Sequence, residues 1–190
     1  DIVITELDAC ANINLETREL NHNFRKLNLI RLGTCGALQK DIPCGKMIAS
    51  KYVVGIDGIM YYYKNNKNVI DEDLTQSFIS RMQWDDSLPK PYGVECSDNL
   101  LKTIDMVEGI TITSPGFYGP QGRQIRLPVA FDDINDKISD FSFNGLKASN
   151  YEMETSALYA LGKNLGHNCL TICLVIANRK EGKFLESYSE

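Results

Sequence analysis

The chain of 190 residues lacks any apolar run that could cross a membrane as a helix. Its most apolar stretch, residues 169–177, is far shorter than such a span, which needs roughly 20 residues. The first residues show no basic segment leading into an apolar one, so no secretory signal is read there and the expected location is the cytoplasm. Positive charge is in deficit, with Lys+Arg 20 against Asp+Glu 25 and a net charge of −5. That balance excludes a nucleic-acid polymer or an anionic membrane as the main partner, and any small anion has to be held by local cations. Zinc-type spacing is absent as well. The six cysteines, at 10, 35, 44, 96, 169 and 173, form no C-x-x-C pair, and the histidines are only His22 and His167. Structural metal is therefore not expected; free buried thiols in a reducing compartment are, with Cys169 and Cys173 in the core and both histidines at the surface. Repeats and low-complexity linkers are missing too.

What remains is an ordinary globular composition, 43% hydrophobic and 24% charged, long enough for one domain with its own core. The chain begins at Asp1 without Met, directly in a helix-like pattern, and is expected to be a piece of a longer protein.

Periodicity predicts a first helix with Ile4, Leu7, Cys10 and Ala11 on one face, then a strand over 26–32 stopped by a glycine turn at Gly33-Thr34-Cys35-Gly36. A second strand is expected over 47–54 and a helix over 71–84, with acidic residues in its first turn as the helix dipole favours. Further strands are predicted over 92–96, 109–113 and 146–148, and helices over 97–106, 131–141 and 153–165. The run 169–177 reads as a strand covered on both faces. Ser114-Pro-Gly-Phe-Tyr-Gly-Pro-Gln-Gly-Arg123 holds two prolines and three glycines in ten residues and is expected to be a shaped loop. This alternation implies a three-layer α/β/α domain with a central mixed β-sheet.

Four clusters are expected at strand ends, where α/β sheets bind ligands. In Arg31-Leu-Gly-Thr-Cys-Gly36, a guanidinium and the turn N–H groups suit phosphate, and an internal Arg–carboxylate pair fits the same residues equally well. On the Pro/Gly loop, Phe117, Gln121 and Arg123 fit a uracil edge. Gln121 meets one carbonyl and the adjacent N–H, Arg123 donates to the other carbonyl, and Phe117 supplies an apolar wall. Cytosine would set donor against donor there, at a cost of about 1–3 kcal/mol. In Ser149-Asn-Tyr-Glu-Met-Glu154 the Ser149-x-x-Glu152 spacing reads as a capping box. Glu154 stands outside that pattern and suits a sugar diol, with Met153 beneath the ring. Ala177-Asn178-Arg179 closes the buried strand and either marks its exit to solvent or faces the same cavity.

Taken in order, Arg-Leu-Gly-Thr-Cys-Gly-Ala-Leu-Gln (31–39), Phe-Tyr-Gly-Pro-Gln-Gly-Arg (117–123), Asn-Tyr-Glu-Met-Glu-Thr (150–155) and Val-Ile-Ala-Asn-Arg (175–179) resemble the nucleoside phosphorylase-I family, most closely its uridine branch. The resemblance runs from about residue 29 to 180 and implies phosphorolysis of uridine to uracil and ribose 1-phosphate, in nucleoside salvage and catabolism. It implies that Arg31, Thr34 and the Gly33 backbone bind phosphate, that Phe117, Gln121, Arg123 and Arg179 bind uracil, and that Glu152, Met153, Glu154 and Thr34 bind ribose. Arg123, Gln121, Arg31 and Glu154 would carry catalysis. Inorganic phosphate is then the co-substrate, with no metal or organic cofactor. The expected assembly is a homo-oligomer, dimer-based and up to a hexamer, with sites completed across subunits. Residues 1–190 would be one domain lacking amino- and carboxy-terminal parts of the family fold. A purine phosphorylase or nucleosidase of the same family is the second reading, although the purine branches place an acid where this chain has Ala177-Asn178-Arg179. A catalytically silent nucleoside-binding paralogue or truncated form is the reading of a different class.

Overall fold

The computed structural model describes residues 1–185. Five helices, α1 (Ile2–Asn12), α2 (Glu72–Met82), α3 (Asp98–Leu101), α4 (Ile134–Ser139) and α5 (Thr155–Asn164), alternate with strands. The strands are β1 (Asn28–Ala37), β2 (Met47–Gly55), β3 (Tyr92–Glu95), β4 (Val107–Thr113), β5 (Ser142–Phe143), β6 (Leu146–Glu152), β7 (Asn168–Asn178) and β8 (Lys183–Phe184). The acidic start of α2 behaves as its sequence implies. Asp71 accepts a hydrogen bond from the Leu74 N–H at 3.0 Å and so satisfies one of the free donors of the first turn.

Two boundaries differ in ways that matter for the site. β1 does not stop at Gly33 but runs through it to Ala37, paired along its length with β7, and the only irregularity is a register shift between Cys35 and Gly36. The expected glycine turn is therefore not formed; parallel pairing to the long buried strand outweighs the turn preference of two glycines. β6 likewise extends through Ser149–Glu152, so these residues are strand and not a capping box. The Ser149 hydroxyl donates to the Ile110 carbonyl at 3.1 Å, while the Glu152 carboxylate accepts from the N–H groups of Glu154 at 3.0 Å and Thr155 at 2.9 Å. A carboxylate from the preceding strand thus caps the start of α5.

The strands follow the order β3-β2-β4-β6-β1-β7-β8, with β5 beside β6. Pairings β1–β7, β2–β4 and β4–β6 are parallel and β1–β6 and β2–β3 antiparallel, so the sheet is mixed, as expected. β2 also pairs with β7, Met47 opposite Leu174 and Ala49 opposite Ile172, which closes β2, β4, β6, β1 and β7 into a ring. One core cluster gathers Ile4 of α1, Leu100 and Leu101 of α3 and Tyr159 to Leu161 of α5. A second holds Leu74 and Phe78 of α2 and Ile134 and Ile138 of α4. Val53 belongs to the first cluster and its neighbours Tyr52 and Val54 to the second, so the helical layers lie on opposite faces of β2. Residues 169–173 of β7 are buried without interruption, as a doubly covered strand requires.

Two expectations about single residues are corrected. His167 is not a surface residue; only 4% exposed, its Nδ1 accepts from the Leu27 N–H at 3.2 Å and its Nε2 lies 3.0 Å from Asp8 Oδ1, tying α1 to the start of β7. Of the six thiols, Cys10 is exposed and Cys44 half-buried, so only four are core residues.

Candidate active site

The carboxyl ends of β4 and β6, the loop after β4 and the exit of β7 bring the clusters together in two adjoining groups. In the first, Arg31 reaches across β1 to the end of β6. Its Nη1 lies 3.3 Å from Glu152 Oε2, its Nη2 bonds Glu154 Oε2, and Nη1 also donates to Cys173 Sγ at 3.4 Å. Burial, the largest single effect, pulls its pKa down, but Glu152, Cys173 and Glu154 together raise it above the ordinary arginine value. The Cys173 thiol is lowered, first by a hydrogen bond with Cys35 and, against its burial, by Arg31. The internal Arg–carboxylate pair is thus real. Glu152 is 4% exposed. The Thr113 hydroxyl holds its Oε1, and two backbone N–H groups and Arg31 hold its Oε2. The Glu154 side chain is 59% exposed and is the accessible carboxylate of the pair.

Gly33 has a steric reason to be there. A Cβ at this position would lie 2.4 Å from Arg31 Nη1 and 2.7 Å from its Cζ, so the guanidinium reaches Glu152 only because position 33 has no side chain. The backbone there is ordinary strand and accepts alanine. We expect Gly33→Ala to displace Arg31 from Glu152 and so to cost about 1–3 kcal/mol, the penalty for leaving that buried carboxylate short of a partner. The check is a denaturant melt beside a titration with inorganic phosphate, in which phosphate binding should weaken about tenfold if Arg31 serves it.

In the second group Gln121 is buried at 3% exposure. Its Oε1 accepts from Arg123 Nη1 at 3.0 Å and from Arg179 Nη2 at 2.9 Å, and its Nε2 donates to Ser114 Oγ at 2.8 Å. Arg123 also donates to the Phe117 carbonyl at 2.7 Å, and its Cζ lies 3.6 Å from the centre of the Phe117 ring. Arg179 stacks at 4.6 Å on the Tyr151 ring. Neither guanidinium is ion-paired among the described residues. Burial lowers the pKa of Arg123; burial, with the charge of Arg123 added, brings Arg179 down to about 10. The corner is thus short of negative charge. Arg179 faces the cluster rather than leaving the sheet for solvent.

The structure thus joins Arg31 to Glu152 and Glu154, and Gln121 to Arg123, Arg179 and Phe117. Met153 is partly exposed between the two glutamates. Thr34 is not brought in: it is exposed and makes no side-chain hydrogen bond among the described residues, and strand alternation puts it opposite Arg31 and Gly33. Thr113, Ser114 and Tyr151 were missed from the sequence. Tyr151 lies inside the Asn150–Thr155 motif, but nothing in a strand-end Thr-Ser distinguishes it from any other. Among the described residues no three His, Cys, Asp or Glu side chains are grouped to hold a metal ion.

The fold is that of an α/β protein whose mixed, partly closed sheet sets arginines beside a strand-end pair of glutamates and a Gln/Arg loop. The sequence profile of the Phosphorylase superfamily matches residues 4–188, and the chain belongs to that family. It is 29% identical over 157 residues to a uridine phosphorylase of Thermococcus kodakarensis, covering 82% of this chain and 50% of that protein. It is 30% identical over 164 residues to a DeoD-type purine nucleoside phosphorylase of Clostridium novyi, covering 86% and 58%. The crystal structure of a Trypanosoma brucei nucleoside phosphorylase, described as showing uridine phosphorylase activity, superposes with a TM-score of 0.86 at 24% identity, over 98% of this chain and 70% of that one. That likeness establishes the fold. The chain spans about half the length of the curated relatives it matches.

Proposed function

We propose that the protein is a pyrimidine nucleoside phosphorylase that cleaves uridine with inorganic phosphate to uracil and ribose 1-phosphate. The observation that carries this reading is the base corner itself: a buried Gln121 between Arg123 and Arg179, with no carboxylate among the described residues paired to either guanidinium. Such a corner offers donors to a base that departs as an anion, whereas a departing purine needs an acid to protonate it. Asn178, in the segment where the purine branches resemble one another in carrying an acid, has its amide N–H groups committed to the carbonyls of Gln39 at 2.9 Å and Ile42 at 2.8 Å. It holds backbone and does not face the base corner.

Phosphate is a competent nucleophile, so the protein's work is alignment and charge stabilisation. In this reading the phosphate takes over the Arg31 donors now bonded to Glu154, which releases Glu154 to accept from the ribose hydroxyls, with Met153 beneath the sugar. Glu152, whose oxygens are already engaged, keeps the end of β6 and Glu154 in place. As the glycosidic bond breaks, its electron pair goes to the base, and Arg123 turns from Gln121 Oε1 to the carbonyl where negative charge develops. Gln121 Oε1, still held by Arg179, then has one lone pair free for the base N–H, and Nε2 has a second hydrogen for a carbonyl. Arg179 assists at the 4-carbonyl, through water, and Phe117 walls the ring. The roles of Thr34 and of the Gly33 backbone at phosphate rest on the family resemblance. No metal or organic cofactor is invoked. A homo-oligomer that completes the site across subunits fits the exposed Ile30 and Leu32 on one face of β1.

A panel of uridine, thymidine and inosine with and without phosphate tests the reading. Phosphate-dependent release of uracil is expected. Faster release of hypoxanthine would move the chain to the purine reading, which the DeoD-type relative keeps in view, and base release without phosphate would make it a nucleosidase. Uridine binding with no release would favour a silent nucleoside-binding protein.

A further inference from the structure

A cavity of about 580 Å³ lies beside the base corner but not over Arg31 or Glu154. It opens between the segment that follows β4 and the end of α2. Its wall is apolar, with Trp84, Tyr118, Leu127 and Phe131 prominent, and among the described residues its only charged lining residues are Arg123 and Arg126. Neither arginine has a carboxylate within ion-pair distance among the described residues, while the size is that of an ordinary small-molecule pocket.

We propose that this cavity is a binding site for a small amphipathic anion, an aromatic body carrying one carboxylate or sulfonate group. The apolar wall takes the body, and the two guanidiniums take the charge. A cationic ligand is disfavoured because the lining holds no acid among the described residues to receive it. An uncharged apolar ligand would shield the guanidiniums from water and leave them without a counter-charge, a cost an anion removes. Arg123 already feels this: burial disfavours its charged form. Arg126, exposed and bonded to no other residue in the described structure, is free to turn toward the ligand. Arg123 also bonds Gln121, so an anion that draws it into the cavity would loosen the base corner. That last consequence rests on the proposed function; the binding itself does not.

The test is direct binding, independent of turnover. Trp84 is the only tryptophan of the chain and lines the cavity, so it reports occupancy. Titration of the intact protein with 8-anilinonaphthalene-1-sulfonate, an aromatic sulfonate, should give saturable one-to-one binding with quenching of Trp84 emission by energy transfer. Arg126→Gln should weaken that binding about tenfold without weakening binding of the uncharged N-phenyl-1-naphthylamine. Leu127→Asp should abolish sulfonate binding, and at 81% exposure it leaves the fold intact, as circular dichroism would verify. Unsaturable sulfonate binding without Trp84 quenching would overturn the proposal. So would equal sulfonate affinity in wild type and Arg126→Gln, or in wild type and Leu127→Asp.

Discussion

Replacing Arg123 by alanine is expected to lower kcat/KM for uridine by about 10²–10³-fold, the range seen when one donor to a developing negative charge is removed. The reasoning starts from what Arg123 does in the folded chain. Its guanidinium makes two hydrogen bonds, to the Phe117 carbonyl and to Gln121 Oε1, and stacks on the Phe117 ring. These are contacts within one loop, at a partly exposed position, and the packing of the two helical layers does not use them. Loss of the side chain should therefore change stability by only about 1 kcal/mol. The same guanidinium is one of the two that flank Gln121 and that no carboxylate among the described residues pairs with, so its charge is available to a departing base. Arg123→Lys separates charge from geometry, because an ammonium keeps the charge without the planar fork, and it should restore only part of the activity. Steady-state kinetics beside a denaturant melt decides the matter: an unchanged kcat/KM in the alanine variant would return Arg123 to a loop-shaping role.

Arg31→Ala is expected to act on the other substrate. Phosphate saturation should be lost or pushed up by about 10²-fold, since a charge-assisted, forked donor is removed, while the KM for uridine moves less. This variant should also carry a stability cost that Arg123→Ala does not. Arg31 lies 3.3 Å from the carboxylate of Glu152, which is almost wholly buried. Removing the cation leaves that carboxylate to the Thr113 hydroxyl and the two N–H groups at the start of α5. We expect a loss of about 1–3 kcal/mol, the usual penalty for leaving a buried polar group short of a partner, smaller than for an isolated buried ion because three hydrogen bonds remain. The double variant Arg31→Ala/Glu152→Gln should recover part of that stability without recovering phosphate dependence. Unchanged phosphate saturation in Arg31→Ala would make the arginine a structural partner of Glu152 alone.

Much of the site was legible before the fold was. Alternation of strand-like and helix-like periods implies a layered α/β domain, and a guanidinium in an apolar strand, a Gln/Arg loop and a paired-glutamate motif are readable as recognition chemistry, because residue type sets which groups donate and which accept. The order of these motifs along the chain carries the family resemblance. Local signals misled where long-range pairing overrode them. Gly33 to Gly36 looked like a turn, but ten residues of parallel pairing to β7 keep β1 extended. Ser149 to Glu152 looked like a helix cap, but β4 claims those residues as strand, with Asn150 opposite Thr111 and Glu152 opposite Thr113. His167, in what reads as a polar turn, is buried because α1 closes over it through Asp8.

By itself, then, the sequence determined the chemical vocabulary of this protein: which side chains can hold an anion, a diol or a planar amide edge, and in what order they come. Only the tertiary structure decided the partners. That Arg31 meets Glu152 and Glu154 rather than solvent, that Gln121 sits between Arg123 and Arg179, and that Gly33 clears the path for a guanidinium are matters of strand register and ring closure. Positions 31 and 152 lie far apart in the chain, and no local period encodes which strand will lie beside which. Burial of the shared core sets that choice, and the site inherits it.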